Sequence, residues 1–256
     1  MSTPSPESLP ILLKGLKLPS FVSHHQEVAA KAEKGGWTFT DYLRNLAELE
    51  LAERHRRKIE RLHASSKLPE GKTLATLKEE RVPATVKRQL PSLCRGEFVK
   101  RAENILLFGL PGRGKTHVAC AIGHELVSRG FRVLFIPAFL LVQQLLAAKR
   151  DLELERKLRQ LDRVDVVLID DIGYVQQSQE EMEVLFTFLS ERYERRSVVI
   201  TSNLVFSKWD QIFKNPLTTA AAIDRIVHHS HILEFAGPSI RWTEAEERLS
   251  QVNEGE

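Results

Sequence analysis

The stretch Gly109-Leu110-Pro111-Gly112-Arg113-Gly114-Lys115-Thr116 decides how the rest of the chain is read. It has the spacing of a phosphate-binding loop: Gly, four residues, then Gly-Lys-Thr. Ahead of it, Asn104-Ile105-Leu106-Leu107-Phe108 reads as a buried strand, and after it His117-Val118-Ala119-Cys120-Ala121-Ile122 reads as a helix. Glycines let the backbone curl until several N–H groups point at one anion, and the helix start adds its positive dipole end. The expected cradle is therefore Gly109, Leu110, Pro111, Gly112, Arg113, Gly114, Lys115, Thr116 and His117. Lys115 can reach the β and γ phosphates, and the Thr116 hydroxyl can ligate Mg²⁺. A glycine-rich turn that binds nothing is the plain alternative, and the strand and helix on either side argue against it.

Three further stretches extend the site. Val164 to Asp171 is an apolar strand that delivers two carboxylates at its carboxyl end, where ligands of open parallel sheets bind. Asp170 would hold Mg²⁺ directly or through water, and Asp171 would orient or deprotonate an attacking water. Val198 to Asn203 is a strand ending in an amide. Asn203 can address the γ-phosphate or the water, or Ser202 and Asn203 can simply cap the next helix. Arg225, in Ala222-Ile223-Asp224-Arg225-Ile226, can reach a nucleotide held by a neighbouring subunit or form a surface ion pair. His228, His229 and His231 do not read as a metal site, because no cysteine or carboxylate stands near them at ligand spacing. They read as a helix end running into a strand.

The bulk properties fit this picture. The chain has 256 residues, 42% of them apolar, which suffices for a sizeable core. No apolar run reaches the roughly 18 residues of a membrane span, and the polar stretch Met1 to Pro10 has no signal-peptide core. Two cysteines, Cys94 and Cys120, make no disulfide framework, so a cytoplasmic location is expected. The net charge of +3 is unevenly spread: residues 51–100 hold 13 Lys and Arg against 6 Asp and Glu. Such a surplus can track a phosphate backbone or merely solvate a helix face.

Along the chain, Leu9, Leu12, Leu13 and Leu16 mark one short helical face, and Val22 to Lys34 a second segment ended by Gly35-Gly36. Thr38 and Asp41 resemble a capping box for a long helix over 41–64, with an apolar stripe of Leu43, Leu46, Leu49, Ala52, Ile59 and Leu62. Its basic half supplies Arg54, Arg56, Arg57, Lys58 and Arg61 as candidate DNA contacts. The expected divisions are an N-terminal helical domain over 1–66, a connector over 67–100 with Pro69, Pro83 and Pro91, a core over 101–243, and a tail over 244–256. Within the core, strands are expected near 104–108, 132–136, 165–170, 197–202 and 231–235. Alternating strands and helices imply an α/β fold with a parallel sheet covered on both faces.

Taken together, these motifs are similar to those of the IstB-like ATPases, helper proteins of bacterial transposases, from about Leu12 to Arg241. The matching stretches include Asn104 to Ala119, Val164 to Tyr174, Glu191 to Ser197, Thr201 to Leu204, Ala220 to Ser230, and Gly237 to Arg241. That resemblance implies a P-loop NTPase core of the AAA+ class, a five-stranded sheet of order 5-1-4-3-2, and no C-terminal lid domain. It implies ATP and Mg²⁺ as cofactors, with Lys115 and Thr116 binding nucleotide and Asp170 and Asp171 as the metal and catalytic acids. Asn203 then matches a first sensor, Arg225 a trans-acting arginine and Arg241 a second sensor. Phe139 to Leu161 matches an insertion that faces DNA, making Lys149 and Arg150 candidate contacts. The implied partners are double-stranded DNA bound largely without sequence preference, a transposase, and further copies of the chain in an ATP-dependent oligomer. A helicase-loader ATPase is the alternative within the same core. Asp171 stands where most of the class has Glu, one methylene longer, so slow turnover is expected.

Overall fold

The computed structural model describes residues 8–174, 178–204 and 226–235. Arg225, Arg241 and the expected tail over 244–256 lie outside the described residues. The chain divides into two compact units, Met1–Arg61 and Leu62–Glu256.

The first unit is helical. α1 (Ser8–Gly15) and α2 (Pro19–Gly35) precede α3 (Phe39–Ser66). α2 ends on Gly36 in the left-handed conformation, the usual glycine stop. At the start of α3 the Thr38 hydroxyl accepts the Asp41 N–H at 3.1 Å. The apolar stripe expected on α3 is only partly used: Leu46 is buried, whereas Leu43 and Leu49 are exposed. A carboxylate goes inside instead. The side chain of Leu18, ahead of α2, makes no capping hydrogen bond, and buried Glu50 accepts the Ser20 N–H at 2.9 Å in its place. Its negative charge meets the positive end of α2. Burial works against that charge, but Arg54 at 2.7 Å and the Ser20 N–H outweigh it and hold the Glu50 carboxyl below its ordinary value.

The second unit is built on one parallel sheet. Its strands are β1 (Asn104–Phe108), β2 (Val133–Pro137), β3 (Val166–Asp170), β4 (Ser197–Ser202) and β5 (Ser230–Glu234), in the spatial order β2-β3-β4-β1-β5. This is the order 5-1-4-3-2 read from the other edge. Alternate residues feed opposite faces, as the two-residue strand period requires. Leu106, Phe108, Val167, Ile169, Val198 and Ile200 meet α7 (Ala138–Arg150), α8 (Leu154–Asp162) and α9 (Gln179–Arg192). Ile105, Leu107, Val166, Leu168 and Val199 meet α6 (Lys115–Ser128). In the three central strands β1, β3 and β4 both faces are buried, which is why Ile105 to Phe108, Val166 to Ile169 and Val198 to Ile200 are apolar without interruption, whereas the edge strand β5 buries only Leu233. The 67–100 segment contributes Leu68, Val82, Val86, Leu93 and Phe98 to the α6-side core; its helices are α4 (Ala84–Cys94) and α5 (Glu97–Lys100).

This order decides where chemistry can occur. β4 lies between β1 and β3. The phosphate loop leaves β1, the two aspartates leave β3, and Thr201, Ser202 and Asn203 end the strand between them.

Candidate functional site

The loop after β1 is wound by glycines in backbone regions that side chains avoid: Gly112 has φ 78° and Gly114 φ 84°. Gly109 is constrained by space as well. With φ 148°, a Cβ there would stand 2.4 Å from the Phe235 carbonyl oxygen at the end of β5. The same carbonyl accepts a hydrogen bond from Arg113 Nη1 at 3.1 Å. The phosphate loop is thus seated against the end of the edge strand.

Lys115 opens α6 and is buried. Its Nζ donates to the carbonyls of Gly109 (2.6 Å) and Leu110 (2.9 Å) and to Asn203 Oδ1 (2.8 Å). Asn203 Nδ2 in turn donates to Asp171 Oδ1 at 2.6 Å. One amide therefore joins the loop lysine to the second carboxylate. Beside it, Thr116 Oγ1 donates to Asp170 Oδ1 at 2.8 Å. The structure brings Lys115, Thr116, Asp170, Asp171 and Asn203 into one network, as their positions in the sequence imply.

Thr201 lies in a stretch that carries the family resemblance, but taken by itself it reads as an ordinary β-branched strand residue with no role of its own. Its buried hydroxyl donates to Asp170 Oδ1 at 2.7 Å and accepts the Asp171 N–H at 2.8 Å. One side chain thereby fixes both aspartates. Asp171 needs this support because its φ is 63°, in the left-handed region. Asp is among the few side chains that tolerate that region. The backbone at this position thus favours Asp over a longer acid.

A cavity of about 380 Å³ opens over these groups. The loop residues Pro111 to His117, with Asp171, Thr201 and Asn203, line one side; Lys72, Thr76, Leu77, Lys78, Arg81 and Val82 line the other. Its volume and its converging polar and basic groups, with Leu77 and Val82 as apolar contacts, suit a nucleotide-sized ligand. His117 Nε2 lies 3.0 Å from the Thr73 carbonyl and 3.2 Å from Thr76 Oγ1, tying α6 to the far wall. Thr116 Oγ1 and the Asp170 carboxylate are hard oxygen donors on one side of the loop, the donor type that Mg²⁺ prefers, so these residues fit that ion. Cys120, one turn along α6, has its thiol pushed up to about 12 by burial and takes no part.

The candidate DNA contacts look different in three dimensions. Arg54 pairs with Glu50, Arg57 with Glu53, and Arg56 with Glu53 and Glu60; all three arginines are exposed. The Arg56 hydrogen bond, helped by Arg57, holds the Glu53 carboxyl at about 2. Lys58 is exposed, and Arg61 Nε reaches the Arg57 carbonyl. On α7, Lys149 pairs with Glu183 at 2.9 Å, and Arg150 is exposed. Arg54 is held by a buried carboxylate, but the pairs of Arg56 and Arg57 are open to solvent, where ion pairs contribute little, so a phosphate can take over these two arginines.

The family model described as "IstB-like ATP binding protein" matches residues 11–248. A putative insertion sequence ATP-binding protein of Sinorhizobium fredii is 44% identical over 234 residues, covering 91% of this chain and 78% of that one. The insertion sequence IS21 putative ATP-binding protein of Pseudomonas aeruginosa is 36% identical over 236 residues, covering 92% and 89%. Among solved structures, AMPPCP-bound DnaA from Aquifex aeolicus aligns with TM-score 0.54 at 20% identity, over 73% of this chain and 57% of that one. DnaI aligns with TM-score 0.56 at 20% identity, over 67% and 96%. At these identities the two structures establish a shared fold and no more.

Proposed function

Since the chain belongs to the IstB-like ATP-binding family, we propose that it is an ATP-dependent, DNA-binding helper of transposition. It assembles on duplex DNA, remodels it and recruits or activates a transposase, and hydrolysis controls its release. The observation that carries this reading is the Lys115–Asn203–Asp171 chain beside the Thr116–Asp170 pair, all at the carboxyl end of the sheet.

In this reading the loop amides and the Lys115 ammonium bind the β and γ phosphates, and the cavity wall over 72–82 faces the base. Thr116 and Asp170 would hold Mg²⁺, which when bound neutralises charge on the phosphate oxygens. The Asp171 carboxylate orients the attacking water and takes its proton. Asn203 keeps that carboxylate and Lys115 in register, so the base and the phosphate charge are positioned together. Arg225 is offered to the nucleotide of a neighbouring copy, which makes ATP the bond between protomers. Arg241 is assigned to the nucleotide held by its own phosphate loop, as a second sensor.

The test is Arg225→Ala. ATP binding should persist, while γ-phosphate release and assembly on DNA are lost. A variant that stays monomeric and hydrolyses ATP at the full rate would remove the trans-site argument. Retention by an immobilised replicative helicase, and not by the transposase, would redirect the reading to helicase loading.

A further inference from the structure

His228 and His229 lack a carboxylate partner in the sequence, but the fold supplies one. Glu194 stands in the turn between α9 and β4, with φ 55°, a left-handed backbone unusual for Glu. Its Oε1 lies 3.5 Å from His229 Nε2. The two imidazole rings have centroids 4.0 Å apart. One ligand atom from each of Glu194, His228 and His229 can be chosen so that all lie within 4.8 Å of one another, and all three residues are exposed.

The support around the cluster is firm. The His229 carbonyl accepts the Asn104 N–H at 2.7 Å, which fixes the entry to β5 on β1. Tyr193, at the end of α9, sets its hydroxyl 3.1 Å from His228 Nδ1 and so holds that ring's plane. Such an outer hydrogen bond commonly orients a metal-bound imidazole. His231, by contrast, is committed elsewhere: its Nε2 lies 2.9 Å from Glu103 Oε2.

We propose that Glu194, His228 and His229 form a site for one divalent transition-metal ion of the zinc, nickel or copper type. Two imidazoles and one carboxylate are the donor set such ions prefer, whereas Mg²⁺ and Ca²⁺ select oxygen. Three protein ligands leave a position for water. The site lies at the amino ends of β4 and β5, opposite the nucleotide cavity, and does not depend on the nucleotide reading. An ion there joins the α9–β4 turn to the segment that begins three residues after Arg225 in the sequence.

The test uses the full chain without a histidine tag, in excess Mg²⁺ so that Thr116 and Asp170 do not take the probe ion. Zn²⁺ is titrated by calorimetry, and Co²⁺ is followed by its visible absorption. One equivalent should bind. His229→Ala, His228→Ala and Glu194→Gln should each weaken binding by about tenfold or more, a loss of at least about 1.4 kcal/mol. His231→Ala should bind like the parent, as should a double change of the adjacent pair His24 and His25 to Ala. Circular dichroism checks that each variant is folded, and the three positions are exposed enough to be replaced without opening the core. Absence of saturable binding at one equivalent, or unchanged affinity in the His228, His229 and Glu194 variants, overturns the proposal.

Discussion

Thr201→Val is the sharpest single change for the nucleotide site. Valine keeps the shape of threonine and removes only the hydroxyl, at a position 1% exposed. Two hydrogen bonds go with it: the one to Asp170 at 2.7 Å and the one from the Asp171 N–H at 2.8 Å. A buried N–H left without an acceptor costs about 1–3 kcal/mol, and a bond to a charged group about 1.5–3 kcal/mol. The Asp171 N–H is only part-buried and Asp170 keeps Thr116 as a donor, so the lower half of each range applies and the expected loss of stability is about 3 kcal/mol. For a unit of this size that is a fall in melting temperature of about 6–12 °C. The effect on chemistry is separate. Asp171 loses its backbone anchor while Lys115 and the loop are untouched. Displacing a catalytic group by about 1 Å costs on the order of 100-fold, so single-turnover γ-phosphate release should slow by about 10–100-fold with ATP affinity nearly unchanged. Thr201→Ser keeps the hydroxyl and should restore most of the rate. A valine variant that hydrolyses ATP like the parent refutes the positioning argument, and so does a serine variant as slow as valine.

Other consequences are open to direct measurement. Gly109→Ala forces a Cβ to 2.4 Å from the Phe235 carbonyl; ATP affinity measured by calorimetry should fall by about tenfold or more, and parental affinity would show that the loop is not seated on β5. Reversing Arg56, Arg57 and Lys58 to Glu should weaken duplex binding and make its salt dependence shallower by about 0.9 for each phosphate no longer neutralised; an unchanged slope would show that this face of α3 does not touch DNA. Glu103 is held at about 2, first by the Arg101 hydrogen bond and then by His231, against its partial burial. Its carboxyl value is depressed by folding, so the pair stabilises the fold above the ordinary value of 4.5 and the gain is lost as pH falls toward 2. Glu103→Gln should flatten the acid limb of a stability-against-pH curve in that window, and a limb of unchanged slope would exclude this pair as its source.

What the sequence discloses and what it withholds follow from the physics of each residue. The strands are placed to within about a residue because both faces of the sheet are buried, so Val166 to Ile169 and Val198 to Ile200 are apolar without interruption. The loop is legible because Gly109, Gly112 and Gly114 serve backbone conformations that other residues avoid. Thr201 is hidden because threonine is also a good strand residue, and nothing local separates a packing hydroxyl from one that fixes two acids. Glu50 is hidden for a related reason. Its acceptor role depends on the start of α2, thirty residues earlier, so the pattern on α3 alone favours Leu43 and Leu49, which are exposed. The cavity wall over 72–82 comes from a stretch whose prolines and charges read as a connector. Glu194 reaches His229 across 35 positions of chain, beyond any motif spacing.

Electron-microscope imaging of the purified chain on duplex DNA, with ATP and then with ADP, tests most directly whether the nucleotide joins one copy to the next. Regular multi-subunit assemblies with ATP, dispersed with ADP, are the predicted result. Solitary protomers in both nucleotides, or identical assemblies in both, would contradict it.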